Sequence, residues 1–342
     1  MFYQASYKLS YKNLSKKIIY SALALSLSGS IFAAEKPALT VYSYDSFTSD
    51  WGPAPKLKPI FEQQCGCELN FVPFEDGVTL FNRLRLENKS SKADVIIGLD
   101  NNLLPEARES KLFAENNVDL SKLNLPIEWQ DRTFLPYDYG QYAFIYDQDK
   151  LKNPPTSLKE LVERQDLKVI YQDPRTSTVG RGLLAWVNAV YPADQVNQAW
   201  QTLAKHTVTV GKGWSETYGA FLKGESDLVL SYNTSPLYHQ IHEQKNNYVA
   251  AEFSEGHIVQ IELAAKLNSS KQSELADQFL AFLISPEAQK IIALHNIMLP
   301  VIKTEIEPHF DQFVPAKTLS VPFPEKADSK AQIQLWQQAL SH

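Results

Sequence analysis

From Ala38 onward the chain alternates short apolar, β-branched runs with segments of helical period. That alternation is the signature of α/β layers built on mostly parallel strands. Eight runs read as strands: ALTVYSY (38–44), CELNFVPF (67–74), DVIIGL (94–99), YAFIYD (142–147), KVIYQD (168–173), TVTVG (207–211), DLVLSY (227–232) and HIVQIELAA (257–265). Helical periodicity is clearest over Val78–Asn88, Gly182–Tyr191, Pro236–Glu243 and Ser273–Ile284, and ISPEAQKII adds a loop and another short helix. At 342 residues the chain exceeds the usual single core, and so many parallel strands call for two sheets. DYGQYAFIYD and EGHIVQIELAA read as long extended connections between two lobes. On that reading 34–143 and 257–342 form a discontinuous lobe 1, and 144–256 form lobe 2 as a single insertion.

The first 33 residues stand apart. Lys8, Lys12, Lys16 and Lys17 precede the small, apolar run IIYSALALSLSGSIFA, which ends at Ala33. A basic start, a short apolar stretch and a small-residue cleavage site describe a cleaved secretory signal at 1–33, too short and too rich in Ser for a spanning helix. Removal of those four lysines from 33 Lys and Arg leaves 29 against 39 acids, a charge near −10. Such a balance disfavours nucleic acid and anionic membranes and tolerates a cationic ligand. The two cysteines, Cys65 and Cys67 in QQCGCEL, can close a small ring about Gly66 in an oxidising compartment, or remain two thiols. Two thiolates are too few for a structural zinc site.

Polar signatures gather just after the strands, where open α/β sheets bind ligands. They are YDSFTSDW (44–51), EDG (75–77), LDNN (99–102), DPRTST (173–178), KGWSETY (212–218) and SYNTSP (231–236). Ser235-Pro236 and Ser177-Thr178 are hydroxyl-rich helix starts, which cap backbone N–H groups and attract anions. Tyr44, Trp51, Trp214, Tyr218, Tyr232 and Tyr238 offer ring faces to flat heterocycles and cations. Asp76, followed by Gly77, suits an amino group or a positive ring; Asp45, Asp50 and Asp100 are weaker candidates of the same kind.

Catalytic motifs are missing: GWSET lacks the closing glycine of a nucleophile elbow, and neither a P-loop nor H-E-x-x-H occurs. His239 and His242 in HQIHE read as a solvated helix face, since no third metal ligand accompanies them. Ser177 has no histidine partner in the sequence, so an enzyme is not expected.

Taken together, LTVYSYDSFTSDWGPAP, EDGVTLFNRL, ADVIIGLDNNLL, VIYQDPRTST, KGWSETYGAFLKGESDLVLSYNTSP and FSEGH closely resemble, in order, the thiamine-binding periplasmic proteins of bacterial ABC transporters. The resemblance runs over roughly 39–301. It implies a two-lobed type II periplasmic binding-protein fold with a ligand cleft between the lobes. The implied function is to carry thiamine, thiamine phosphate or thiamine diphosphate to an inner-membrane permease, with no cofactor and as a monomer. It also implies ligand-binding roles for Asp76, Gly77, Ser177, Thr178, Trp214, Tyr232, Asn233, Thr234 and Ser235, with Tyr44 and Tyr238 at the pocket edge. Where a family segment of the type N-W-M-Y-P carries tryptophan, this chain reads NIMLP, with Ile297 in place of one ring. A ferric-ion binder of the same fold would instead need clustered tyrosine phenolates, and here Tyr232 is followed by Asn233.

Overall fold

In a computed structural model, residues 36–306, 308–321 and 326–341 are described, so the expected signal at 1–33 lies outside the described residues. Among the described residues eleven strands form one hydrogen-bonded sheet, eight of them along its main path. They are β1 (Ala38–Tyr44), β2 (Glu68–Phe74), β3 (Val95–Asp100), β4 (Phe113–Ala114), β5 (Leu135–Asp147), β6 (Val169–Gln172), β7 (Thr207–Gly211), β8 (Leu228–Tyr232), β9 (Tyr248–Ala250), β10 (Val259–Leu267) and β11 (Leu299–Pro300). The order is β2-β1-β3-β10-β5-β8-β6-β7, with β4 on β10 and β9 and β11 on β5. All eight expected strands are present, and each expected helix begins and ends within a few residues of its expected bounds.

The strand directions differ from the expectation at the centre. β1 runs parallel to β2 and β3, and β6 runs parallel to β7 and β8. β10, however, is antiparallel to both β3 and β5, and β5 is antiparallel to β8. β5 is also long, 13 residues where five or six are usual. Leu135–Gln141 pair with β10, and Tyr142–Tyr146 pair with β8. One strand therefore serves both halves of the path, and from Lys36 the chain clusters as one compact unit.

Period-two alternation sends side chains to opposite faces. Leu39, Val41, Val95 and Ile97 pack with Phe61, Phe279 and Ile292 on one face, whereas Tyr42, Ile96 and Leu99 pack with Leu80, Phe81 and Leu263 on the other. At the far end Phe144, Val169, Leu228 and Leu230 meet Trp186 and Trp200. The C-terminal helix Lys326–Leu340 joins that far end: Trp336 and Ala339 are buried there, and Trp336 Nε1 donates to Tyr171 Oη at 3.1 Å. That helix thus packs on residues assigned to lobe 2, although 257–342 was expected to belong wholly to lobe 1. Cys65 and Cys67 are disulfide-bonded with Cα atoms 5.1 Å apart, and Gly66 between them sits at φ +63°, where glycine carries no Cβ penalty.

Candidate functional site

The ends of β1, β2 and β8 and the loops after β6 and β7 surround a cavity of about 410 Å³, within the range of small-molecule pockets. Five of the six polar signatures reach it. Tyr44, Asp45, Ser46, Ser49 and Trp51 come from the first, Glu75 and Asp76 from the second, Thr178 from the fourth, Trp214, Ser215 and Tyr218 from the fifth, and Tyr232 and Ser235 from the last.

Asp76 organises one corner. It caps the helix Gly77–Glu87 by accepting from Gly77 N at 2.7 Å. The same Oδ1 accepts from Thr178 N at 2.9 Å and Thr178 Oγ1 at 3.3 Å, while Oδ2 accepts from Trp214 N at 3.3 Å. Those nitrogens open the helices Thr178–Val190 and Trp214–Leu222. Three helix N-termini therefore converge on one carboxyl, which suits a negative charge. Burial opposes them and pushes Asp76 up to about 7. The group already seated at the Thr178 helix start is the protein's own carboxyl.

The walls are aromatic and held by hydrogen bonds. Trp214 stacks on Tyr218 at 4.8 Å between centroids, and Trp51 lies 6.3 Å from both Trp214 and Tyr238. Trp214 Nε1 donates to Ser231 Oγ at 2.7 Å, and Ser231 and Ser235 hydroxyls pair at 2.7 Å. Tyr218 Oη meets His239 Nε2 at 3.0 Å, and His239 Nδ1 meets Glu243 at 2.8 Å. His239 is consequently buried behind the wall, which corrects the expectation of a solvated HQIHE face. Trp51 remains 42% exposed at the mouth, where His295 Nδ1 bonds its carbonyl at 3.2 Å.

The floor is built from residues far apart in sequence. Glu262 Oε2 accepts from Tyr44 Oη and Tyr137 Oη, each at 2.7 Å, and from Asn296 Nδ2 at 3.3 Å. Asn296 also donates to Asp138 Oδ2 at 2.7 Å. Ile297 and Met298 complete this side. Ile297 caps the helix Pro286–Asn296 at φ +56°, a strained conformation for a β-branched residue.

Several expected site residues stand behind the lining. Ser177 is buried and its Oγ caps Val179 and Gly180 N–H groups. A Cβ on Gly77 would come 2.0 Å from the Gly98 carbonyl oxygen, so that glycine permits close approach of helix and β3. Asn233 exchanges hydrogen bonds with Gln141, donating from Nδ2 to Oε1 at 2.7 Å and accepting from N at 3.2 Å. Thr234 is buried, its hydroxyl 3.8 Å from Met298 Sδ. The LDNN loop turns away: Asp100 accepts from Asn102 N, Leu103 N and Gln260 Nε2, all at 3.0 Å, and Asn101 and Asn102 line a different cavity. Sequence reasoning missed Glu262, Ser215, His295, Asn296 and Met298. A glutamate inside the mostly apolar strand run HIVQIELAA was the one available signal among them.

Among the described residues lining the cavity are four carboxyls, Asp45, Glu75, Asp76 and Glu262, and no lysine or arginine. The geometry is that of a non-covalent binding pocket for a flat, electron-poor solute.

Residues 43–290 match the family described as Bacterial extracellular solute-binding protein. The thiamine-binding periplasmic protein of Haemophilus influenzae is 58% identical over 334 residues, covering 96% of this chain and 99% of that protein. Its Escherichia coli counterpart is 56% identical over 322 residues, covering 93% and 98%. A solved structure titled Periplasmic thiamin binding protein superposes with a TM-score of 0.86 at 56% identity, covering 90% of this chain and 97% of that one. The fold is accordingly that of the type II periplasmic binding proteins, carriers rather than enzymes. The chain belongs to the bacterial extracellular solute-binding proteins and, within them, to the thiamine-binding periplasmic proteins.

Proposed function

We propose that this chain is the periplasmic solute-binding component of an ABC importer, taking up thiamine and its phosphate esters and delivering them to the inner-membrane permease. The observation that carries this reading is the cavity itself: aromatic on its walls, lined by four carboxyls, and without a lysine or arginine among its described lining residues. Thiamine joins an aminopyrimidine to a permanently cationic thiazolium. Ring faces such as Tyr44, Trp214, Tyr232 and Tyr238 each offer roughly 0.5–2 kcal/mol to a desolvated cation.

The ester end of the ligand points to the hydroxyls of Thr178, Ser215 and Ser235, beside Asp76. A carboxyl that holds its proton below about pH 7 tolerates an anion at that corner. Ser177, Gly77, Asn233 and Thr234 act from behind, by fixing the loops that carry the lining groups. Residues 34–143 with most of 257–342 form one lobe and 144–256 the other, and the two close about β5 and β10. The segment 1–33 directs export and is then cleaved after Ala33, and the mature protein works as a monomer without a cofactor.

Mass spectrometry of ligand released from the purified protein, followed by calorimetric titration of thiamine, tests the reading. Thiamine or an ester is expected in the released fraction, with saturable 1:1 binding on titration. No released thiamine compound and no heat on titration would remove it.

A further inference from the structure

The cavity holds two fully built carboxyl sites, and their donors differ in kind. Both oxygens of Asp76 accept from protein groups, three donors on Oδ1 and one on Oδ2. Glu262 is 6% exposed and lines the cavity, and side chains hold it: Tyr44, Tyr137 and Asn296 donate to Oε2, and its carboxyl shares a hydrogen bond with Asp138. A carboxylate so held, on an otherwise enclosed side chain that lines the pocket, presents its charge to whatever enters.

The charge stays on that residue. Asp138 faces Glu262 directly across the β5–β10 ladder and is fully buried. Burial and the neighbouring Glu262 charge raise Asp138 well above the carboxylate range, so the proton of the pair rests there. Burial raises Glu262 as well, but the hydroxyls of Tyr44 and Tyr137 pull it back toward ionisation.

Resting on the reading of thiamine as ligand, we infer that Glu262 is the specificity-determining residue for the ligand's permanent positive charge, its carboxylate facing a quaternary heteroaromatic ring. A ring nitrogen that cannot lose its charge must find a counter-charge when it is buried. The phenol of Tyr44, fixed by its bond to Oε2, presents its ring beside that charge. Gln260, Asp100 and Asp138 stand behind Glu262 rather than in the cavity.

The test separates charge from shape. Glutamine at 262 keeps a carbonyl acceptor for the two phenols and nearly the same volume, so Glu262→Gln removes the charge alone. Calorimetry compares thiamine with its uncharged analogue, in which the thiazolium nitrogen is replaced by carbon. Wild type is expected to prefer thiamine by about 30- to 100-fold, the scale of one buried charge contact. In Glu262→Gln that preference should shrink to a few-fold, with the loss in thiamine binding and the neutral analogue little changed. Tyr44→Phe retains the carboxylate and should retain the preference. Equal weakening of both ligands, or an unchanged ratio, would overturn the inference while leaving thiamine as the ligand. Failure of wild type to bind thiamine would remove the ligand assignment and this inference together.

Discussion

Asp76 and Glu262 lie against the same cavity, and each is a buried carboxyl surrounded by donors. The donors differ in kind. Around Asp76 they are mostly backbone N–H groups from three helix starts, so the carboxyl ties the loop after β2 to the helices Thr178–Val190 and Trp214–Leu222. Around Glu262 they are side chains, two phenols, an amide and the carboxyl of Asp138. The first arrangement ties loops together and assembles a corner of the pocket. The second holds a charge at the floor, where the ligand meets it. Two residues of one chemical class thus divide positioning from selection, according to the kind of donor the fold itself provides.

The largest effect that can break this contrast is the pH dependence of Asp76. Its carboxyl titrates near 7 in the folded protein and near 4 in the unfolded chain. The folded state therefore binds the extra proton between those values. This group's contribution to stability is full below about pH 4 and is lost as the pH rises to 7. The loss approaches about 4 kcal/mol at most, from a shift of roughly three pH units. Chemical denaturation of wild type and Asp76→Asn at pH 5 and pH 8 should show wild type losing ground relative to the variant. Parallel behaviour would mean that the convergent N–H groups keep Asp76 ionised throughout.

Trp214→Ala comes next. It removes a ring wall and the donor to Ser231 but leaves the backbone N–H that Asp76 accepts. Thiamine affinity should fall about 10- to 30-fold, or roughly 1.5–2 kcal/mol, while the pH dependence of stability keeps its wild-type form. A changed pH profile would show that the wall and the corner are not separable. At the floor, Tyr44→Phe deletes one of three donors to Glu262 and should weaken thiamine binding by about 1 kcal/mol, near five-fold in a titration. The smallest effect concerns the ligand: with no lysine or arginine among the described lining residues, thiamine diphosphate should bind a few-fold more weakly than thiamine. Tighter binding of the diphosphate would place a cationic partner in the closed form.

Much of this architecture is legible in the sequence, because strand runs and helix starts are local signals. ALTVYSY and TVTVG are strands from end to end, and Ser177 caps its helix as its position before an apolar helical run implies. Strand direction is not local, so the antiparallel course of β5 and β10 leaves no trace in periodicity. The LDNN loop reads like the other strand-end clusters, and only the tertiary bonds of Asp100 to Gln260 and Tyr142 reveal that it faces elsewhere. Ser177, Asn233 and Thr234 were legible as polar groups near the site, yet their side chains are consumed by capping and by contacts to Gln141 and Met298. Asn296 and Met298 reach the floor from a helix end more than 200 residues after Tyr44, a distance that composition and motif spacing do not bridge. Glu262 was visible as a charge inside the run HIVQIELAA, but its role depends on Tyr44, Tyr137, Asp138 and Asn296, which only the fold brings to it.

The most direct test is a crystal structure of the protein with thiamine bound. The account predicts the thiazolium nitrogen within about 4–6 Å of the Glu262 carboxylate, with Asp76 still holding the N–H groups of Gly77 and Thr178. A thiazolium seated against Asp76, with the Glu262 carboxylate facing water, would contradict it.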